Sequence, residues 1–347
     1  MYDYFVNTEL ARLTIIIGIL VATLVYKQTG MTLGGVIVPG YLALFLRYPL
    51  NIVVTLTAAS LSFLAVHYFL KKRFLMDSRQ MFEVEVLIAL VLQVTWNIIS
   101  GYFWRVDPNW FPIFGIGFIL PGVIAHEMGR SGWGRTFVTT VLGAILVYVI
   151  IVPLASIQEL LSTFVSPTSY TPLLRTQPYP YAFPLQLLPI GLVVSIFIDL
   201  LLYRWVKLRA GGYVTAAYLA MFFLRPVDIF FVLFCSLLTF IFISRIVGYN
   251  ILAFGRTRLG ITILAGVVIS WIAEILVINL SRGTFVPWSG FVIIMPMIVS
   301  LLAVDFERQG IWRTTGGVSI SSIGVWLVMQ GVVFAIFQLN LDWLFFV

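Results

Sequence analysis

Long apolar runs separated by short polar or basic turns fill this chain from end to end. Eight of them, at roughly 8–26, 50–70, 84–104, 136–154, 185–203, 228–247, 259–280 and 318–338, approach the ~20 residues that a helix needs to cross a ~30 Å hydrocarbon layer. Four shorter apolar segments lie between them, at about 31–46, 112–127, 211–224 and 289–304. Segments of ~16 residues cross only a thinned bilayer or as a broken helix, or else re-enter on one side. The pattern predicts an all-α polytopic integral membrane protein. Composition agrees: 61% of the 347 residues are apolar and 10% are charged, where a soluble domain carries roughly 25% charged residues. No small-residue cleavage site follows the first run and further spans follow it, so it reads as a retained span. The single cysteine, Cys235, excludes an intramolecular disulfide and a Cys-based metal cluster.

Two of the short segments share a signature. Residues 34–43 read GGVIVPGYLA and residues 116–125 read IGFILPGVIA, each broken by Pro-Gly at Pro39-Gly40 and Pro121-Gly122. A break frees backbone groups that lipid cannot satisfy, so it persists where protein or a water-filled cavity satisfies them. Either break alone reads more readily as a tolerated packing kink; their matched places make a working site an even reading.

The chain also reads as two parallel pseudo-repeats of about six apolar segments each. Residues 34–49 align without gaps on 211–226, an offset of 177 (211 − 34 = 177) that carries Gly-Gly, Tyr-Leu-Ala, Phe and a final Pro. With a small insertion, 121–136 meets 296–315. The expected layout is a first membrane repeat over 1–154, a Pro-rich linker over 155–184 and a second, degenerate repeat over 185–347. The second copy has Ala216-Ala217 for Pro39-Gly40 and Pro296-Met297 for Pro121-Gly122. Within the first half, each Pro-Gly segment is flanked by a long span on either side. Three elements per quarter, an odd number, would make the quarters nested inverted repeats.

Charge tests the topology. If all twelve segments cross, Lys27, Lys71, Lys72, Arg73, Arg79, Arg130, Arg135, Arg204, Lys207, Arg209, Arg245, Arg256, Arg258, Arg308 and Arg313 share one side. Arg12, Arg47, Arg105, Arg175, Arg225 and Arg282 remain on the other. The positive-inside rule then makes the basic loops cytoplasmic and both termini external. Re-entrant short segments would largely abolish the bias, so crossing is favoured.

Few residues offer chemistry. The candidate functional set is Gly34, Gly35, Pro39, Gly40, Tyr41, Gly117, Pro121, Gly122, His126, Glu127 and Arg130. A His-Glu pair can move protons, although His126-Glu127 also suits an ordinary charged helix end. Asp199 and Glu274 lie inside apolar runs, where a carboxylate must be paired or solvated. Glu274 reads either as a residue between the halves or as the lining of a conduit; Asp305, Glu307 and Arg308 read as helix-end charges. Residues 129–136, GRSGWGRT, imitate a phosphate-binding loop, yet Arg135 stands in place of the lysine and no strand precedes it. The two histidines, His67 and His126, fall in different segments, and no metal, cofactor or nucleic-acid motif is present.

The stretch 29–49, the basic loop 71–79 and the stretch 115–133 together resemble the poly-γ-glutamate biosynthesis membrane protein family, PgsC/CapC. That family carries a Gly-rich V-P-G-Y-L segment near its start, then a G-I-G…P-G-x-I-A segment and a short basic Gly-containing turn. The resemblance covers residues 10–154, a whole ordinary member, so the chain resembles a tandem fusion whose second copy has weakened motifs. It implies a non-catalytic membrane subunit of a capsule or released-polymer synthase in a bacterial cell membrane. Its implied partners are a cytoplasmic ATP-dependent amide ligase (PgsB/CapB-like), further membrane or extracellular capsule subunits, and the polyglutamate chain. No cofactor is implied. Basic loops suit a polyanion or an acidic ligase surface, although topology alone explains them. The alternative is a self-contained secondary transporter of a small anion. A membrane-embedded transferase using His126 and Glu127 is the weakest reading.

Overall fold

The computed structural model describes residues 8–74, 76–103, 117–164, 181–208, 212–248, 255–282, 284–288, 291 and 293–338. Every regular element among them is helical. The chain divides into two compact units, Met1–Val165 and Ser166–Val347.

The first unit holds α1 (Thr8–Thr29), α2 (Val38–Leu44), α3 (Pro49–Leu64), α4 (Ser78–Phe103), α5 (Leu120–Ser131) and α6 (Trp133–Phe164). The second holds α7 (Leu188–Val206), α8 (Tyr213–Met221), α9 (Pro226–Phe242), α10 (Gly255–Leu280), α11 (Ile294–Gln309) and α12 (Ile311–Gln338). Among the described residues, seven stretches are long and apolar enough to cross a membrane: Leu10–Thr29, Pro49–Arg73, Trp133–Ser156, Leu185–Val206, Pro226–Arg245, Gly255–Leu280 and Ile311–Gln338.

Proline fixes several starts. Pro39, Pro49, Pro121, Pro189 and Pro226 all stand in a first helical turn. There the missing N–H costs no helical hydrogen bond and the fixed φ suits the helix. Pro39 and Pro121 therefore open short helices.

The segment 31–46 crosses its unit as a half-irregular, half-helical strand of chain. Thr139 Oγ1 donates to the Thr32 carbonyl at 2.8 Å, near the start of α6. Further on, Ala43 packs with Val147 and Ile151 of the same helix. The six residues from Thr32 to Ile37 thus run beside α6 before α2 begins. Gly34 and Gly35 carry them past their neighbours at φ 78° and 139°. A Cβ on Gly34 would overlap the Thr140 side chain, and one on Gly35 would lie 3.0 Å from Val123 Cγ1.

The two units use the same devices at matching places. The third helix of each passes into a π turn, Ala65–Leu70 after α3 and Ile243–Val247 after α9. The fifth helix of each ends on a left-handed glycine, Gly132 at φ 91° and Gly310 at φ 87°. In both turns a threonine hydroxyl then donates to a carbonyl nine residues earlier: Thr136 to Glu127 at 3.2 Å and Thr314 to Asp305 at 3.1 Å. Helix α11, with 16 residues against 12 in α5, is about one turn longer. Counting back from the shared turn sets Ser300 opposite Gly122, which places the extra turn at the start of α11 and not near its end.

The expected linker is narrower in the structure. Helix α6 continues to Phe164. The Ala182 N–H donates to the Met221 carbonyl at 2.9 Å, and Phe183 is buried, so 181–184 belong to the second unit's core. Residues 165–180 lie outside the described residues, as do Arg105 and Arg175.

Candidate functional site

Helix α4 carries a buried carboxylate, Glu85, about two turns in from its start. A lone carboxylate at such a place costs several kcal/mol unless paired. Glu85 is paired twice. His126 of α5 donates from Nδ1 to Oε2 at 2.8 Å, and His67 of the π turn brings its Nδ1 to 3.5 Å from Oε1. The first contact is a charge-assisted hydrogen bond; the second is within ion-pair reach only.

Three local features build this cluster. Ser62 Oγ donates to the Glu85 backbone carbonyl at 2.6 Å and ties α3 to α4. The π turn adds a residue to the helix and re-aims His67; such turns recur at functional sites. Gly129 of α5 leaves room for the His67 ring, because a Cβ there would come within 2.6 Å of its Nε2. Phe63 lies 4.7 Å from the His67 ring and Phe82 lies 5.0 Å from that of His126.

The Pro-Gly signature acts through packing. A Cβ on Gly122 would overlap the Cα of Val86, the neighbour of Glu85. Gly122 thus lets α5 settle directly onto α4, and His126, one turn further along α5, arrives at Glu85. Gly40 does the same for α2 on α1: its Cβ would stand 3.0 Å from Ile15 Cα and from the Thr14 carbonyl, and Gly18 lies on the same contact.

The structure brings together one residue of the expected set, His126, with two that sequence reasoning missed, His67 and Glu85. Glu127 is buried, and its carbonyl serves the turn at Thr136. Arg130 is exposed at the end of α5, beside the same helix end as His126. Gly117, at φ 61°, lies before the opposite end of α5. Pro121 starts α5, and Tyr41 packs half-buried against the core of Val38, Leu42, Leu120 and Ile124. The missed signal was MFEVEVLIAL (81–90), where two acids, both buried, stand at the head of an apolar run. Among the described residues, no group of three or more His, Cys, Asp or Glu has the geometry to hold a metal ion.

The second unit lacks the cluster. The offset of 177 (211 − 34 = 177) puts Ser244 at the place of His67 and Thr262 at that of Glu85. Each hydroxyl donates to a carbonyl of its own helix, of Phe240 and Arg258. Its buried acids serve a different purpose. Asp228 pairs with Arg225 at 2.7 Å and accepts the Trp288 N–H at 3.0 Å. Glu274 accepts Trp288 Nε1–H at 3.0 Å. These bonds fasten the loop before α11 within the unit. Asp199 is buried on α7, and Glu307 pairs with Arg258.

Helix ends meet within each unit. In the first unit the end of α3, the start of α4 and the end of α5 meet at His67, Glu85 and His126. In the second, the Arg258–Glu307 pair joins the start of α10 to the end of α11.

The family described as capsule biosynthesis CapC matches residues 17–137 and 190–315. The PGA biosynthesis protein CapC of Bacillus subtilis (strain 168) is 30% identical over 131 residues, which is 38% of this chain and 85% of that protein. The capsule biosynthesis protein CapC of Bacillus anthracis is 30% identical over 133 residues, with the same coverage of 38% and 85%. No solved structure matches the chain.

Proposed function

The chain belongs to the capsule biosynthesis CapC family, and on that premise we propose that it is the membrane subunit of a poly-γ-glutamate synthase. Its work is to hold a cytoplasmic ATP-dependent amide ligase at the membrane and to help the acidic polymer across. The observation that carries this reading is the family pattern itself, present once in each unit.

The first unit is the working copy. It has the buried Glu85 with its two imidazoles, at the helix ends that also carry exposed Lys71, Lys72, Arg73 and Arg130. A polymer with a carboxylate on every residue needs cationic groups along its way, and the exposed Lys71, Lys72, Arg73 and Arg130 supply them at these helix ends. The same basic face, set in the cytoplasm by the positive-inside rule, suits an acidic ligase surface. The second unit keeps the layout, fills the corresponding positions with self-satisfied hydroxyls, and serves as a structural partner.

The test is co-purification. Ligase expressed with this chain should fractionate with membranes and elute with it from detergent. Replacing Lys71, Lys72 and Arg73 by glutamate should release the ligase. A ligase that stays soluble beside the intact chain would contradict the anchoring role.

A further inference from the structure

The ends of α7, α11 and α12 enclose an open pocket of about 640 Å³ lined by Tyr203, Lys207, Arg308, Gln309 and Arg313. Three of its five lining residues are cations. No acidic side chain among the described residues lies within ion-pair distance of Lys207, Arg308 or Arg313. The nearest acid in sequence, Glu307, is engaged by Arg258. Helix-end cations serve topology wherever they point, but topology does not require three of them to converge on one concavity.

The pocket is partly preformed. Lys207 closes α7 in the left-handed conformation, φ 55°, with its ammonium 5.1 Å from the centre of the Tyr203 ring. The Gln309 amide donates to Thr314 Oγ1 at 3.1 Å, which holds the turn between α11 and α12. Two tryptophans flank it in sequence: Trp205 is 76% exposed and Trp312 is 89% exposed. Exposed tryptophans at the ends of apolar helices mark the membrane–water interface. Basic pockets between helices at that depth take lipid headgroups.

We propose that this pocket binds the phosphate headgroup of an anionic phospholipid. The headgroup sits among Lys207, Arg308 and Arg313, with Trp205 and Trp312 at the level of the lipid glycerol. The exposed tryptophan rim favours lipid over soluble polymer, since a site for a soluble polyanion gains nothing from interfacial anchors. The proposal stands apart from the polymer-synthase reading.

The purified chain is reconstituted in mixed phosphatidylglycerol–phosphatidylcholine nanodiscs, and lipid retention is read by native mass spectrometry after release. Wild type should keep about one phosphatidylglycerol and no phosphatidylcholine. The triple variant Lys207→Gln, Arg308→Gln, Arg313→Gln should lose that lipid, with affinity lowered roughly 100-fold if each cation contributes about fivefold near an anionic surface. All three side chains are exposed, and the melting temperature monitors the fold. A charge-matched control, Lys71→Gln, Lys72→Gln, Arg73→Gln, should retain the lipid. Equal retention by wild type and the pocket variant would overturn the proposal. So would equal loss in the control, or retention of added poly-γ-glutamate in place of phosphatidylglycerol.

Discussion

His126 Nδ1 meets Glu85 Oε2 at 2.8 Å across 41 positions of sequence. The contact depends on a glycine four residues before His126. Gly122 has no side chain to hold α5 away from Val86, so α5 and α4 approach until the imidazole reaches the carboxylate.

Gly122→Ala should therefore separate the two helices. The added methyl meets the Val86 backbone, which no rotamer change relieves. Overpacking of this kind costs about 1–3 kcal/mol. A lower melting temperature in detergent and reduced polymer output are expected, more so for Gly122→Leu. Wild-type values for both would contradict the packing role.

The second unit makes the same approach with the small residue on the other helix. A Cβ on Gly266 of α10 would stand 3.0 Å from the Ser300 Cα on α11. Gly266→Leu should lower the melting temperature, by about 1–3 kcal/mol of overpacking, whereas Ser300→Gly should preserve the close approach. Greater loss from Ser300→Gly than from Gly266→Leu would show that the crossing is set elsewhere.

Glu85→Gln keeps the shape and one acceptor oxygen for His126 but removes the charge. It should fold and lower polymer output severalfold. Glu85→Leu leaves the imidazole without its acceptor, at about 1–3 kcal/mol, and should lower both stability and output. Full output from Glu85→Gln at normal protein level would reduce the cluster to a structural bond.

Much of this was legible in the sequence, and the misses have physical causes. The twelve segments and the Pro-Gly pairs are patterns in one dimension, and apolar length or a helix-starting proline reveals them directly. Pro39 and Pro121 stand where expected, yet each opens a helix instead of interrupting one, because a proline in the first turn forfeits no hydrogen bond. His126 was legible; its partner was not. Adjacency suggested Glu127, but neighbours on a helix point about 100° apart, and the carboxylate comes from α4. No spacing rule announces a π turn, so His67 could not be aimed from sequence either. Glu274 accepts a hydrogen bond from Trp288 of its own unit, a contact that no spacing rule announces.

Trp288→Phe should test that second network. It removes the Nε1–H that Glu274 accepts and keeps the ring beside Phe231. Loss of a donor to a buried carboxylate costs about 1–3 kcal/mol. Asp228→Ala removes both the Arg225 ion pair and the acceptor of the Trp288 N–H and should cost more, about 3–5 kcal/mol. Thermal unfolding distinguishes them, and equal melting temperatures for wild type and both variants would contradict the assignment.

The most direct measurement deletes this chain from its host and assays two quantities together: cell-associated and released poly-γ-glutamate, and glutamate-dependent ATP hydrolysis by the ligase. A membrane subunit that supports a separate ligase predicts that polymer disappears while ATP hydrolysis persists, and that the wild-type chain restores polymer. Normal polymer in the deletion strain would contradict that account.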